Sequence, residues 1–253
     1  MSIHRVFRLG SCLALLLLCS SAWSASVLVA VASNFSKPMT EIAAEFAKAT
    51  GHEAKLSFGS TGKFVAQIEN GAPFEVLLSA DEKGPIKLEQ AHLAETGSRF
   101  VYALGQLVLW SATPGFVDAQ GKVLSQGQFT HLALADPKLA PYGAAAIEVL
   151  QKQGLLEKLQ PLFVQGENIA QTLQFISAGN AELGFVAYSQ VLENGKIANG
   201  SAWLVPSENF TPIRQSAVLL KLGAKNPVAA ALLAYLKTPE ALAIIKKYGY
   251  DLP

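Results

Sequence analysis

Phe58-Gly59-Ser60-Thr61-Gly62-Lys63 is the stretch on which the reading of this chain turns. The run from Ala54 to Phe58 is short and largely apolar, and reads as a strand. Phe64-Val65-Ala66-Gln67-Ile68-Glu69 reads as a helix that stops at Asn70-Gly71. A strand therefore passes through a glycine-flanked turn into a helix, the repeating unit of an α/β fold. The turn presents two hydroxyls at a helix start, where free backbone N–H groups and a partial positive charge converge. Such a start can hold an anion, and the glycines let the backbone approach it closely. This is not a phosphate-cradling P-loop: only Ser60-Thr61 separates the glycines, and Phe64 follows Lys63 where Ser or Thr is needed. The plainer reading is an ordinary N-cap after a strand.

The same unit recurs on both sides. Val27 to Val31 reads as a strand, and residues 36–49 as a helix, with apolar spacing at Met39, Ile42 and Phe46, Pro38 in the first turn and Gly51 at the end. Further strands are expected at Glu75–Ser79, Phe100–Trp110, His131–Ala135, Phe163-Val164, Gly184–Tyr188, Trp203–Val205 and Gln215–Leu222. Helices are expected near 82–94, 141–153, 155–159, 168–178, 226–237 and 239–248, and a loop at 112–128. The alternation gives an α/β fold with mostly parallel sheets. Three more junctions resemble the first: Ala32-Ser33-Asn34-Phe35, Asp136-Pro137 through Pro141-Tyr142-Gly143, and Glu167-Asn168-Ile169. In open α/β sheets, ligands bind where the carboxyl ends of strands meet helix starts. Each junction alone reads as a cap; together in one cleft they would make an anion site of N–H and O–H donors.

Residues 1–24 read as a signal peptide, with a basic start at His4, Arg5 and Arg8, a leucine-rich run from Leu13 to Leu18, and Ala22-Trp23-Ser24 before the cut. Both cysteines, Cys12 and Cys19, fall inside it, and Leu18 argues against lipidation of Cys19. About 229 residues remain, enough for one large domain or two small ones. They enter an oxidising compartment without disulfides. Removing Arg5 and Arg8 from 20 basic residues leaves 18 against 19 acidic, a net charge of −1. That balance points away from nucleic acid and from an anionic membrane surface. Only Arg99 and Arg214 remain as arginines, and His52, His92 and His131 as histidines. No G-x-S-x-G, H-E-x-x-H or C-x-x-C occurs, so neither a serine hydrolase nor a metal hydrolase is indicated. Asp136 with His131 is too sparse for a metal site and reads as a strand-end turn. Ser79-Ala80-Asp81 reads as a helix cap that could line a cleft. Tyr102, Trp110, Phe163, Phe175 and Phe185 sit in apolar runs and read as core.

Several longer blocks carry a resemblance. They are Val29-Ala30-Val31-Ala32-Ser33-Asn34, Phe58-Gly59-Ser60-Thr61, the run from Gln67 to Asp81, Ala135-Asp136-Pro137, Pro141-Tyr142-Gly143, Glu167-Asn168-Ile169, Leu183-Gly184-Phe185-Val186 and Lys246-Lys247-Tyr248-Gly249-Tyr250. The chain resembles the periplasmic molybdate-binding proteins of ABC importers, over essentially its whole length after the leader. The run from Gln67 to Asp81 is the most specific block. The resemblance implies a two-lobed α/β periplasmic binding protein of type II. Its lobes would be 25–103 with 207–253, and 104–206, with hinges near 100–106 and 204–212. It implies a monomer in the periplasm that binds molybdate, and tungstate with it, and delivers it to an ABC permease, with no cofactor and no catalysis. Carried over residue by residue, the first donor falls at Ser33 or Asn34, the second at Ser60 or Thr61. Backbone N–H donors fall at Tyr142 and Ile169. The family's tyrosine hydroxyl aligns with Ala187, a departure. Tyr142 is the preferred source of a phenol, and Tyr188 the alternative. Sulfate or another oxyanion on the same scaffold, and an exported enzyme, are the competing readings.

Overall fold

The structure is a computed structural model that describes residues 25–126 and 128–253. The leader read at 1–24 lies outside them. The chain begins β1 (Ser26–Ala32), α1 (Ser36–Thr50), β2 (Glu53–Gly59), α2 (Thr61–Glu69), β3 (Val76–Ser79), α3 (Lys83–Gln90) and β4 (Phe100–Gly105). It crosses to a second sheet with β5 (Leu107–Ser111), α4 (Val123–Gln126), β6 (Leu132–Ala135), α5 (Pro141–Lys152), α6 (Leu156–Leu159), β7 (Phe163–Gly166), α7 (Ile169–Ser177) and β8 (Leu183–Ala187). There follow α8 (Tyr188–Val191), a small hairpin of β9 (Leu192–Glu193) and β10 (Lys196–Ile197), and β11 (Ser201–Leu204). The chain then returns to the first sheet with β12 (Ile213–Leu219) and closes with α9 (Pro227–Tyr235) and α10 (Pro239–Lys247).

The first sheet has the order β2-β1-β3-β12-β4, and the second β11-β5-β8-β6-β7. β1 runs parallel to β2 and β3, while β12 is antiparallel to both its neighbours. In the second sheet β6 is parallel to β7 and β8, and β5 is antiparallel to both its neighbours. One strand in each sheet thus runs against the rest. The two antiparallel strands, β12 and β5, are the ones that carry the chain back and forth between the sheets.

Both faces of each sheet are covered at its centre, which is why central strands such as β1, β3, β5, β6 and β8 read as nearly unbroken apolar runs. Val27, Val29 and Val31 of β1 pack with Met39, Ile42 and Phe46 of α1 and with α9 and α10, whereas Ala30 faces Phe64, Val65 and Ile68 of α2. In β5, Leu107 and Leu109 face α5, while Val108 and Trp110 face Ile176 of α7. Ala32 at the end of β1 and Ala80 just past β3 join the cluster of the second sheet around Ala140 and Tyr142, so the two halves touch.

The sequence reading differs from the structure at several points. Phe100–Trp110, expected as one β stretch, breaks at Gln106 and its halves belong to different sheets. Both halves are apolar because both are largely buried, and Gly105-Gln106 is the local mark of the break. The loop at 112–128 contains α4, and the strand expected to end at Tyr188 ends at Ala187, with Tyr188 opening α8. Tyr102, Trp110 and Phe185 are buried, but Phe163 and Phe175 are only half-buried.

Candidate functional site

Four helix starts meet in one narrow cleft between the sheets. Its lining includes Ser33 and Asn34 ahead of α1, Gly59, Ser60 and Thr61 at α2, Pro141 and Tyr142 at α5, and Asn168 and Ile169 at α7, with Ala32, Ala80 and Ala140. These residues are all uncharged. The cleft is tight, with free room of about 10 Å³, that of a single water-sized sphere and far below the range typical of organic ligands. Both arginines lie elsewhere: Arg99 pairs with Glu82 and Glu89, and Arg214 with Glu82.

Ser60 bears on both readings of the opening stretch. It occupies the N-cap position of α2 with extended backbone, yet its side chain makes no capping bond. It is 3% exposed, and its hydroxyl has no hydrogen-bond partner. A buried hydroxyl without a partner costs about 1–3 kcal/mol, so the position is one at which a ligand atom would complete the bonding. Thr61 is different. Its oxygen accepts the backbone N–H of Ala80 at 3.0 Å, which leaves the hydroxyl proton available to the cleft. The Ser33 hydroxyl donates to Asn168 Oδ1 at 3.3 Å, but that oxygen already accepts the N–H groups of Ala170 and Gln171 at 3.0 and 3.1 Å. Ser33 therefore holds the longest of three bonds to one acceptor and can turn.

Asn34 and Tyr142 point their side chains away from this role. Asn34 Nδ2 donates to Gln215 Oε1 at 2.7 Å and to the Tyr250 phenol at 3.0 Å. The Tyr142 phenol accepts from Gln215 Nε2 at 3.4 Å. A Cβ on Gly105 would lie 2.2 Å from that phenol oxygen. The preferred reading of Tyr142 as a phenol donor thus does not match the geometry: the ring reaches past the cleft to the crossover strands. Its backbone N–H, at the start of α5 behind Pro141, remains at the cleft. Burial above all, with the Tyr250 and Tyr102 phenols beside it, pushes the Tyr142 phenol well above its ordinary value. Ile169 offers a backbone N–H at the start of α7. Tyr188 does not line the cleft; it lies against Gly249 and Leu192 in a separate crevice that includes Lys37 and Lys246. The one-residue shift from Ala187 cannot bring it round, because α8 begins there and turns it outward.

The halves are tied across the cleft mouth. Gly62 N–H donates to the Leu139 carbonyl at 2.9 Å, and a Cβ on Gly62 would lie 3.0 Å from the Leu139 Cα. A side chain at the second glycine of the turn would press on this approach. Lys63 pairs with Glu167 at 2.5 Å, each nearly half exposed.

The profile of the bacterial extracellular solute-binding proteins matches residues 27–251. The chain belongs to that family. It is 56% identical to the molybdate-binding protein ModA of Azotobacter vinelandii over 236 residues, 93% of this chain and 94% of that one. It is 54% identical to the ModA of Rhodobacter capsulatus over 229 residues, covering 90% and 89% of the two chains. The solved structure of the Azotobacter vinelandii periplasmic molybdate-binding protein superposes with a TM-score of 0.87, at 46% identity in the structural alignment, over 90% of this chain and 99% of that chain. The sulfate-binding protein SubI of Mycobacterium tuberculosis, at 12% identity and a TM-score of 0.72 over 90% and 87% of the chains, shares the fold alone.

Sequence reasoning missed the buried polar network that this solute-binding protein ties to Asn34 and Tyr142. Gln215, Tyr102, Tyr250 and Ser189 are buried and hydrogen-bonded beneath the helix starts. One signal was visible: Gln215-Ser216 interrupts an apolar strand, and a buried polar residue needs a partner.

Proposed function

We propose that this solute-binding protein captures molybdate, and tungstate with it, between its two sheets and delivers it in the periplasm to the permease of an ABC transporter. The observation that carries the reading is the buried, unpartnered Ser60 hydroxyl in a neutral cleft ringed by helix starts. The nature of the anion rests on the ModA relatives.

In this reading Ser60, Thr61 and a rotated Ser33 donate hydroxyls, and Asn34, Tyr142 and Ile169 donate backbone N–H groups. Each bond to a charged acceptor is worth about 1.5–3 kcal/mol. Each helix start adds about 0.3–1 kcal/mol. Neutral donors suffice for a dianion and need no catalytic group. Phosphate at neutral pH carries a proton that would need an acceptor, and is disfavoured. The two bodies that close on the anion in this reading are 25–105 with 207–253, and 106–206, because β4 runs to Gly105 and the boundary read at 103/104 would cut it.

A thermal-shift series with molybdate, tungstate, sulfate and phosphate tests the reading. At a hundredfold excess over Kd, a ligand of the native state adds about 2.7 kcal/mol. Molybdate and tungstate should raise Tm strongly, and sulfate and phosphate little. Phosphate stabilising as well as molybdate would overturn it.

A further inference from the structure

The geometry points to Gln215 as a positioning residue that couples the two halves of the protein around the anion. The inference rests on the reading of the cleft as the molybdate site. Gln215 is fully buried on β12, one of the strands that joins the sheets. The pairing of β12 with β4 slips beside it: Gln215 faces Ala103, and Ser216 faces Val101, so Tyr102 is the extra residue of a bulge. The bulge brings the Tyr102 phenol 3.1 Å from Gln215 Oε1. The same oxygen accepts Asn34 Nδ2 at 2.7 Å, and Gln215 Nε2 donates to the Tyr142 phenol at 3.4 Å.

One amide therefore links two residues whose backbones line the cleft from opposite sides. Asn34 lies in the short 3-10 turn Ser33–Phe35 that leads into α1 of one half, and Tyr142 lies in the first turn of α5 of the other. Ser189 of the second half reinforces the link, donating to the Asn34 carbonyl at 3.0 Å and bonding the Tyr250 phenol at 2.9 Å. The Tyr142 phenol fits only because Gly105 carries no Cβ. Opening the halves would pull Tyr142 off Gln215 and leave buried polar groups unpaired. Gln215 thus favours the arrangement in which both sets of N–H groups face the anion, without touching the anion itself.

The test measures molybdate binding and release for the full mature chain carrying Gln215→Met, Tyr142→Phe, both together, and Gly105→Ala. Tyr142→Phe keeps the backbone N–H and removes only the phenol. Gln215→Met and Tyr142→Phe should each weaken binding about tenfold, the scale of losing a buried hydrogen bond, chiefly through faster release. The double variant should be little worse than either single one, because both break the same link. A general loss of stability would instead lower Tm and leave Kd unmoved. Gly105→Ala should weaken binding, and Tyr142→Phe should recover part of that loss by removing the oxygen its Cβ meets. This pair keeps the inference testable should Gln215→Met not fold. Binding within twofold of wild type in both single variants, fully additive losses, or no recovery of Gly105→Ala overturns the coupling. Wild-type protein that binds no molybdate overturns the function reading and this inference with it. Wild-type binding with unaffected variants overturns this inference alone.

Discussion

Replacing Ser60 by alanine separates an anion ligand from a helix cap with two opposite signs. A serine that caps a helix loses about 0.5–2 kcal/mol of stability on change to alanine. Ser60 has the N-cap position of α2 but no capping bond, and its buried hydroxyl has no partner. Removing it from the free protein therefore loses no bond and relieves an unmet hydroxyl, a term of about 1–3 kcal/mol at most. The free variant should be as stable as wild type or slightly more so. In the complex the same hydroxyl would donate to a dianion, a bond worth about 1.5–3 kcal/mol. Molybdate affinity should fall roughly 10- to 150-fold, taking about 1.4 kcal/mol per tenfold. Urea unfolding of the ligand-free protein gives the first quantity, and calorimetric titration the second. The reasoning fails if Ser60→Ala destabilises the free protein by about 1 kcal/mol while binding molybdate like wild type. That outcome would make Ser60 a cap whose bond the structure lacks.

Thr61→Ala should lose affinity on the same scale but also destabilise the free protein by about 1–3 kcal/mol, because the buried Ala80 N–H loses its acceptor; equal stability by urea unfolding would contradict this. Tyr188→Phe should leave calorimetric affinity unchanged, since Tyr188 lies in the crevice beside Gly249; a tenfold loss would return it to the site. Small-angle scattering should show compaction on adding molybdate, pivoting on 100–106 and 204–212, and a constant radius of gyration at saturation would argue for a rigid cleft. Burial raises the phenols of Tyr102, Tyr142 and Tyr250 above the ordinary 10.0. The unfolded chain therefore releases those protons first. Their contribution is full below pH 10 and is lost as pH rises toward the folded values. Urea unfolding between pH 9 and 11 should show stability falling with pH, less steeply in Tyr250→Phe; an unchanged slope in that variant would refute the assignment.

Local pattern determined much of this protein from the sequence. The alternation of apolar runs and helical spacing placed the main strands and helices of both sheets, though not α4, α8 or the β9–β10 hairpin, because the central strands are buried on both faces. The glycine and hydroxyl turns at Ser33, Ser60, Pro141 and Asn168 were legible as helix starts, since capping chemistry is local. Tertiary structure alone decided the rest. The break at Gln106 is marked only by Gly105-Gln106, and nothing local says that the apolar residues on either side belong to different sheets. That Thr61 is a half-used donor depends on Ala80, which another strand brings, and that Ser60 is an unmet one depends on the packing that buries it. Asn34 and Tyr142 look like ligand side chains in sequence, yet Gln215, distant from both along the chain, draws their polar ends to the crossover. Hydrogen-bond partners far apart along the chain are set by how the sheets pack, and a single sequence does not record that packing.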